Sequence, residues 1–201
     1  MIIRLLLVFI VSFLLSAAIT FQLLKKSKDS TKAVPCVGGI AFWFTFVAAS
    51  FFMFMVTLDA LSSLDLDGFI IILITSTLMF FVGAIDDKKD LSASTQFLAQ
   101  SLIAFFVIVF GLRTHIAGIG VIGNCAVTFL WIVGITNAFN HLDIVDGLAA
   151  GIAFICCVTF SIVSALTGNG SLAMIFALLA GSVLGFLKYN FPIAKVYMGN
   201  A

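Results

Sequence analysis

All nine acidic residues of this sequence are aspartates, and five of them fall in two short segments. Asp86, Asp87 and Asp90 lie in AIDDKKDLS, and Asp143 and Asp146 lie in NAFNHLDIVDGLAAG. Carboxylates beside long apolar runs are costly and are usually kept for a function. The adjacent pair Asp86 and Asp87 repel each other, a cost that a divalent cation or a shared proton relieves. Hard oxygen ligands of this kind suit Mg²⁺, which is typically held by one or two carboxylates while substrate phosphates and water complete its shell. Lys88 and Lys89 stand where they could meet phosphate oxygens as point charges. A structural reading accounts for the same residues as a helix end, a charged turn and two membrane-flanking lysines.

In the second segment Asn137, Asn140, Asp143 and Asp146 recur every third residue. That spacing drifts slowly around a helix and presents one polar stripe if the segment stays helical. Such a stripe facing an aqueous cavity is a candidate ligand site. Gly147 and Gly151 let a backbone or a ligand approach closely, and small-residue helix packing explains them equally well. His141 reads as a base or, more simply, as a loop or interface residue. Asp29 among lysines, and Asp59, Asp65 and Asp67, read as solvated loop residues.

The elements that carry these residues follow from hydropathy. With 63% hydrophobic and 9% charged residues, the chain lacks the polar surface of a soluble domain. Apolar runs near the length of about 20 residues needed to span a bilayer recur with short polar breaks. They are predicted at 2–24, 37–58, 68–85, 97–112, 118–139, 148–166 and 172–187, giving an all-α, polytopic membrane helix bundle of about seven transmembrane helices. Cytoplasmic loops are enriched in Lys and Arg. Placing Lys25, Lys26, Lys28 and Lys32 inside and alternating from there puts eight of the ten basic residues on the cytoplasmic side, leaving Arg4 and Arg113 outside. The N-terminus is then outside, and both aspartate segments face the cytosol. The first run is too long for a usual signal-peptide core and is followed by lysines, so it is expected to remain as a helix. Cys36, Cys125, Cys156 and Cys157 have no metal-type spacing and read as small buried hydrophobes. A net charge of +1 gives no reason to expect a nucleic-acid partner.

At these residues the sequence resembles a known family. The stretch 82–100 resembles the DDxxD region, and 137–151 the NxxNxxDGxDGL region, of bacterial polyprenyl-phosphate N-acetylhexosamine-1-phosphate transferases (glycosyltransferase family 4). VPCVGGIAF at 34–42 and KVYMGNA at 195–201 match two further landmarks in the same order. Within the family the chain is most similar to the undecaprenyl-phosphate N-acetylglucosaminyl-1-phosphate transferases that start O-antigen and related glycans. The resemblance implies attack of undecaprenyl phosphate on the β-phosphorus of a UDP-N-acetylhexosamine, releasing UMP at the bacterial inner membrane. It implies Mg²⁺, with Mn²⁺ as an alternative, and is compatible with a homodimer. Carried over by position, Asp86 and Asp87 are catalytic, Asp87 and the residue at 200 are metal ligands, and Asn140, Asp143 and Asp146 line the nucleotide-sugar site. Asn137, Lys32 and Lys88 join them as candidate substrate contacts.

Three residues depart from the family pattern. Cys36 stands where many members carry Arg, Ile144 replaces a Gly, and Asn200 replaces the Asp of an MGD motif. An amide offers one neutral oxygen where a carboxylate brings charge, so metal binding should weaken. The resemblance also implies ten or eleven transmembrane helices, so residues 1–201 are expected to be one transmembrane domain that is incomplete at its C-terminal end. The alternative function is a noncatalytic membrane protein of the same fold that binds polyprenyl phosphate or partners a full-length transferase. A transporter or channel fits less well, because the apolar stretches lack ionisable residues for a conduction path.

Overall fold

The computed structural model describes residues 1–27, 35–56 and 66–200, and these form seven helices with no named strand. They are α1 (Ile2–Ser27), α2 (Gly38–Val56), α3 (Leu66–Lys89), α4 (Ala93–Val109), α5 (Gly120–Leu142), α6 (Leu148–Leu166) and α7 (Gly170–Asn190). Lys28, Asp29, Lys32, Asp59 and Asp65, singled out from the sequence, lie outside the described residues. Helices α1, α3, α5, α6 and α7 are long and apolar enough to cross a membrane, while α2 and α4 contain shorter apolar stretches. Leu6, Ile10 and Leu14 on α1, Phe105 on α4 and Ile155, Ile162 and Leu166 on α6 are all exposed on the chain. Water disfavours such surface and lipid accepts it, so the chain is a multi-pass membrane protein.

The helix ends differ from the hydropathy boundaries where side chains supply hydrogen bonds. Helix α4 begins four residues earlier than predicted, because Ser92 caps it by accepting from the Thr95 N–H at 3.3 Å. Helix α7 begins two residues early, with the Asn169 side chain accepting from Leu172 N–H at 3.0 Å. Helix α3 continues through Asp86, Asp87, Lys88 and Lys89 and stops at Asp90, which takes a left-handed φ of 48°. The adjacent aspartates therefore occupy the last turns of a helix rather than a loop. Helix α5 stops at Leu142, so the stripe expected from Asn137 to Asp146 is broken after Asn140. A carboxylate at a helix C-terminus meets the negative end of the dipole, β-branched Ile144 and Val145 favour helix weakly, and Gly147 turns the chain at φ 73°.

The cysteines correct a second expectation. Cys36 and Cys156 are exposed and Cys125 and Cys157 half-buried, with no disulfide among them. In a membrane helix an outward small hydrophobe faces lipid, so apolar sequence context does not imply a place in the protein core.

The chain divides into two compact units interleaved in sequence, 1–65 with 143–199 and 66–142 with 200–201. In the first, α7 packs against α1, α6 and α2 and is buried along most of its length. A Cβ on Gly185 would lie 2.6 Å from the Phe13 carbonyl oxygen and 2.8 Å from the Ser16 Cβ, so only glycine permits α1 this close. Ser16 Oγ donates across the same contact to the Ser182 carbonyl at 2.7 Å. Next to it lies a core of Ala150, Val183, Phe186 and Val196, with the Phe42 ring 5.5 Å from that of Phe186. In the second unit α4 packs against both α3 and α5. The link before α5 is held by Asn124, whose side chain accepts from Ile116 N–H at 2.7 Å and donates to the Gly120 carbonyl at 2.7 Å.

Candidate functional site

In the second unit the structure gives the two adjacent aspartates different surroundings. Asp86 is 4% exposed and its carboxylate accepts three hydrogen bonds. Leu91 N–H donates to Oδ1 at 2.7 Å, and Gln96 Nε2 and Asn200 Nδ2 donate to Oδ2 at 2.9 and 2.7 Å. Asp87 is half-buried and accepts from the Asn200 main-chain N–H at 2.7 Å. Asp86 is thus an anchored carboxylate, and Asp87 is the member of the pair with more open surface. Lys88 is exposed on the same helical turn.

Gln96 reappears one turn along α4 as Gln100, which is 4% exposed and accepts from Asn137 Nδ2 at 2.6 Å. Asn137 also donates to the Val133 carbonyl at 2.8 Å. Its amide therefore serves helix contact between α4 and α5. Asn140, one turn further on, is exposed. Sequence reasoning missed both Gln96 and Gln100. Their signal is an i, i+4 pair of amides on an otherwise apolar helix, where each must find a partner inside the protein.

In the first unit, Asp143 and Asp146 lie in the turn between α5 and α6. Asp146 Oδ2 accepts from Ala194 N–H at 2.9 Å, which ties this turn to the segment after α7. Asn190, 1% exposed, closes the arrangement. It accepts from Gly147 N–H at 3.0 Å and donates to the Val196 carbonyl at 2.9 Å. Sequence reasoning missed it too, although an Asn ending an apolar span is a polar group in need of a partner. Gly147 is fixed by conformation and space together, since its φ is positive and a Cβ there would lie 2.5 Å from the Phe191 ring. Gly151 has nothing near a prospective Cβ, so close approach does not explain it. Burial and, secondarily, the nearby Asp146 charge raise the Asp143 pKa above its ordinary value.

The two weaker sequence landmarks meet in the same unit. Gly38 N–H donates to the Tyr197 carbonyl at 3.0 Å, Gly39 N–H to the Met198 carbonyl at 2.8 Å, and Tyr197 N–H to the Pro35 carbonyl at 3.0 Å. Cys36 and Tyr197 form a parallel bridge. A Cβ on Gly38 would collide with the Phe186 ring and lie 2.8 Å from Met198 Cα, which accounts for glycine at this position. The residues around Cys36 therefore pair with the KVYMGN segment through main-chain groups.

Among the described residues no three His, Cys, Asp or Glu side chains gather as metal ligands do. The donor set near Asn200 suits a hard cation in part. Asp87 supplies a carboxylate and Asn200 an amide oxygen, few enough that substrate phosphates and water would have to complete the shell.

Among the described residues, seven apolar helices whose charged residues lie in their end turns define an integral membrane protein of the multi-pass class. The chain belongs to Glycosyl transferase family 4, whose family model matches residues 69–201. It is 33% identical over 181 residues to the probable undecaprenyl-phosphate N-acetylglucosaminyl 1-phosphate transferase of Bacillus subtilis, covering 86% of this chain and 48% of that protein. It is 32% identical over 187 residues to the undecaprenyl-phosphate alpha-N-acetylglucosaminyl 1-phosphate transferase of Thermotoga maritima, covering 87% and 49%. The phospho-N-acetylmuramoyl-pentapeptide-transferase of Staphylococcus saprophyticus is 32% identical over 189 residues, covering 83% and 57%. The chain spans about half the length of these relatives.

Proposed function

We propose that this chain is part of a transferase that moves N-acetylhexosamine 1-phosphate, with N-acetylglucosamine as the expected sugar, from its UDP donor to undecaprenyl phosphate. The observation that carries the proposal is the divided aspartate pair in a chain of this family. Asp86 is buried and held by three N–H donors, and Asp87 beside it is only half-buried.

In the proposed reaction an oxygen of the lipid phosphate attacks the β-phosphorus of the UDP-sugar. A new P–O bond forms, the bond from the β-phosphorus to the bridging oxygen breaks, and UMP leaves with that oxygen. Asp87 orients the lipid phosphate and accepts its remaining proton when it arrives singly protonated. Asp86 fixes the helix end from which Asp87 projects. Lys88 and Lys32 supply positive charge for phosphate oxygens, and Asn140, Asp143 and Asp146, with Asn137, are assigned to the nucleotide-sugar by their family positions. Mg²⁺, or Mn²⁺ in its place, would be held by Asp87 and the Asn200 amide oxygen, and when bound it would neutralise developing phosphate charge. The product would start a lipid-linked cell-envelope glycan.

A cytosolic site in the bacterial inner membrane, with the N-terminus outside, belongs to the same proposal. Its support is the lysine pattern, with Lys25 and Lys26 ending α1, Lys88 and Lys89 ending α3 and Lys188 ending α7. Such a site would meet a UDP-sugar made in the cytosol. A homodimer is the oligomer to test alongside it.

The deciding experiment measures UMP release by the full-length protein from UDP-N-acetylglucosamine and undecaprenyl phosphate with Mg²⁺, side by side with other UDP-hexosamines. Release that is lost in Asp87→Asn supports the reading. No release by the wild-type protein, with undecaprenyl phosphate still bound, would favour the noncatalytic lipid-binding alternative.

A further inference from the structure

Two aspartates in sequence on one helix end repel each other, and the structure shows how this chain relieves that repulsion. Asn200 gives its main-chain N–H to Asp87 and its side-chain Nδ2–H to Asp86, each at 2.7 Å. One residue thus places a partial positive charge on each member of the pair. Gln96 and Leu91 N–H add two more donors on Asp86. Hydrogen bonds donated to a carboxylate stabilise its charged form, as a nearby cation does.

The identity of residue 200 is decisive here. A carboxylate at 2.7 Å from Asp86 Oδ2 would have no hydrogen to offer, so one of the two groups would need a proton or a cation between them. An amide of nearly the same shape needs neither. We propose that Asn200 is a positioning residue that holds Asp86 and Asp87 in place through its two N–H groups, so that the pair is organised without a divalent cation. Any metal requirement then arises only when substrate phosphates are present. This inference concerns how the pair is held and stands whether or not the proposed transfer reaction is correct.

The test uses the full-length protein in detergent without substrate, comparing its thermal midpoint in EDTA and in Mg²⁺, and its Mn²⁺ binding by electron paramagnetic resonance. The wild-type midpoint is expected to be the same in both buffers. Asn200→Asp is expected to fall by about 5 °C in EDTA, from the loss of a charge-assisted hydrogen bond, and to recover in Mg²⁺. It should also bind Mn²⁺ at least about tenfold more tightly than wild type, which corresponds to a single added carboxylate ligand. Asn200→Ala keeps the main-chain donor and loses Nδ2, so its midpoint should fall without recovery in Mg²⁺. That contrast separates a charge effect from a general loss of packing. A wild-type midpoint that rises in Mg²⁺ as much as that of Asn200→Asp would overturn the proposal, and so would both variants matching wild type in EDTA. If neither variant folds, the wild-type comparison alone carries the decision, since a cation-dependent midpoint there contradicts the inference directly.

Discussion

The main helix contacts inside the two units are held by opposite means. In the first, α7 meets α1 through missing side chains, with Gly181 and Gly185 leaving room for the backbone of α1, while the side chains of Asp146 and Asn190 tie its turns together. In the second, α4 buries little more than Gln100, Ile103 and Ala104, and its links run through side-chain amides, from Gln96 to Asp86 and from Asn137 to Gln100. Lipid removes the hydrophobic drive that water supplies between helices, so contact must come from close packing or from polar pairs. The contact between α1 and α7 relies on packing, and the contacts of α4 rely on polar pairs. It follows that the contact between α1 and α7 should fail when atoms are added, and that the contacts of α4 should weaken when polar atoms are removed.

The largest expected effect tests that asymmetry directly. Gly185→Leu drives a side chain into the Phe13 carbonyl and Ser16, and overpacking of this kind costs about 3 kcal/mol or more. We expect little folded protein by size-exclusion chromatography. Gly134→Ala on α5, where nothing lies within 4 Å of the new Cβ, should keep or slightly raise the thermal midpoint. Equal behaviour of the two variants would erase the contrast between the units.

Next in size is Asn190→Leu, which strips partners from the buried Gly147 N–H and the Val196 carbonyl. Two unsatisfied groups should cost about 3 kcal/mol. Gln100→Leu in the second unit should cost only about 1 kcal/mol, because Asn137 Nδ2 keeps the Val133 carbonyl. Denaturant unfolding in detergent measures both. A double-mutant cycle of Gln100→Ala with Asn137→Ala should then report a coupling of about 0.6 kcal/mol, the scale of hydrogen bonds between membrane helices. Zero coupling would show that the amide pair contributes nothing to the contact between α4 and α5.

The same contrast explains what the sequence revealed. Seven apolar runs predict seven helices because span length is a property of composition, and even α6 is placed to the residue at 148–166. The glycines of VPCVGGIAF and the KVYMGN segment were legible as landmarks, and the structure joins them through Gly38, Gly39, Tyr197 and Met198. Gln96, Gln100 and Asn190 escaped notice because a lone amide in an apolar run announces a need for a partner without saying which. The break between α5 and α6 was legible as well, since the predicted spans end at 139 and resume at 148, while the polar stripe that depended on an unbroken helix does not form because Gly147 turns the chain at positive φ. The division into two interleaved units has no hydropathic signal, because all seven runs are alike in apolar character.

The smallest predicted effect is the most specific in sign. Asp143 lies in the turn before α6, and burial first, then the Asp146 charge, raise its folded pKa above the ordinary value of 3.8. A carboxyl that holds its proton more tightly folded than unfolded contributes stability that is fully present below the unfolded value and is lost as pH rises through the folded one. At neutral pH the wild-type chain therefore carries an unrelieved charge in this turn. Asp143→Asn imitates the protonated form, so it should raise the unfolding midpoint slightly at pH 7, within the roughly 0.5 kcal/mol typical of partly exposed positions. The gain should shrink on acidification and vanish only below the unfolded value of 3.8. Asp146→Asn should bring the Asp143 pKa only part of the way down, because burial is the larger cause, and it also gives up the carboxylate that accepts from Ala194 N–H. If Asp143 contacts the nucleotide-sugar as proposed, the variant that gains stability at pH 7 should lose UMP release, and the two measurements move in opposite directions. A variant less stable than wild type at pH 7, or one whose advantage grows as the pH falls, would show that the Asp143 charge is relieved within the folded turn.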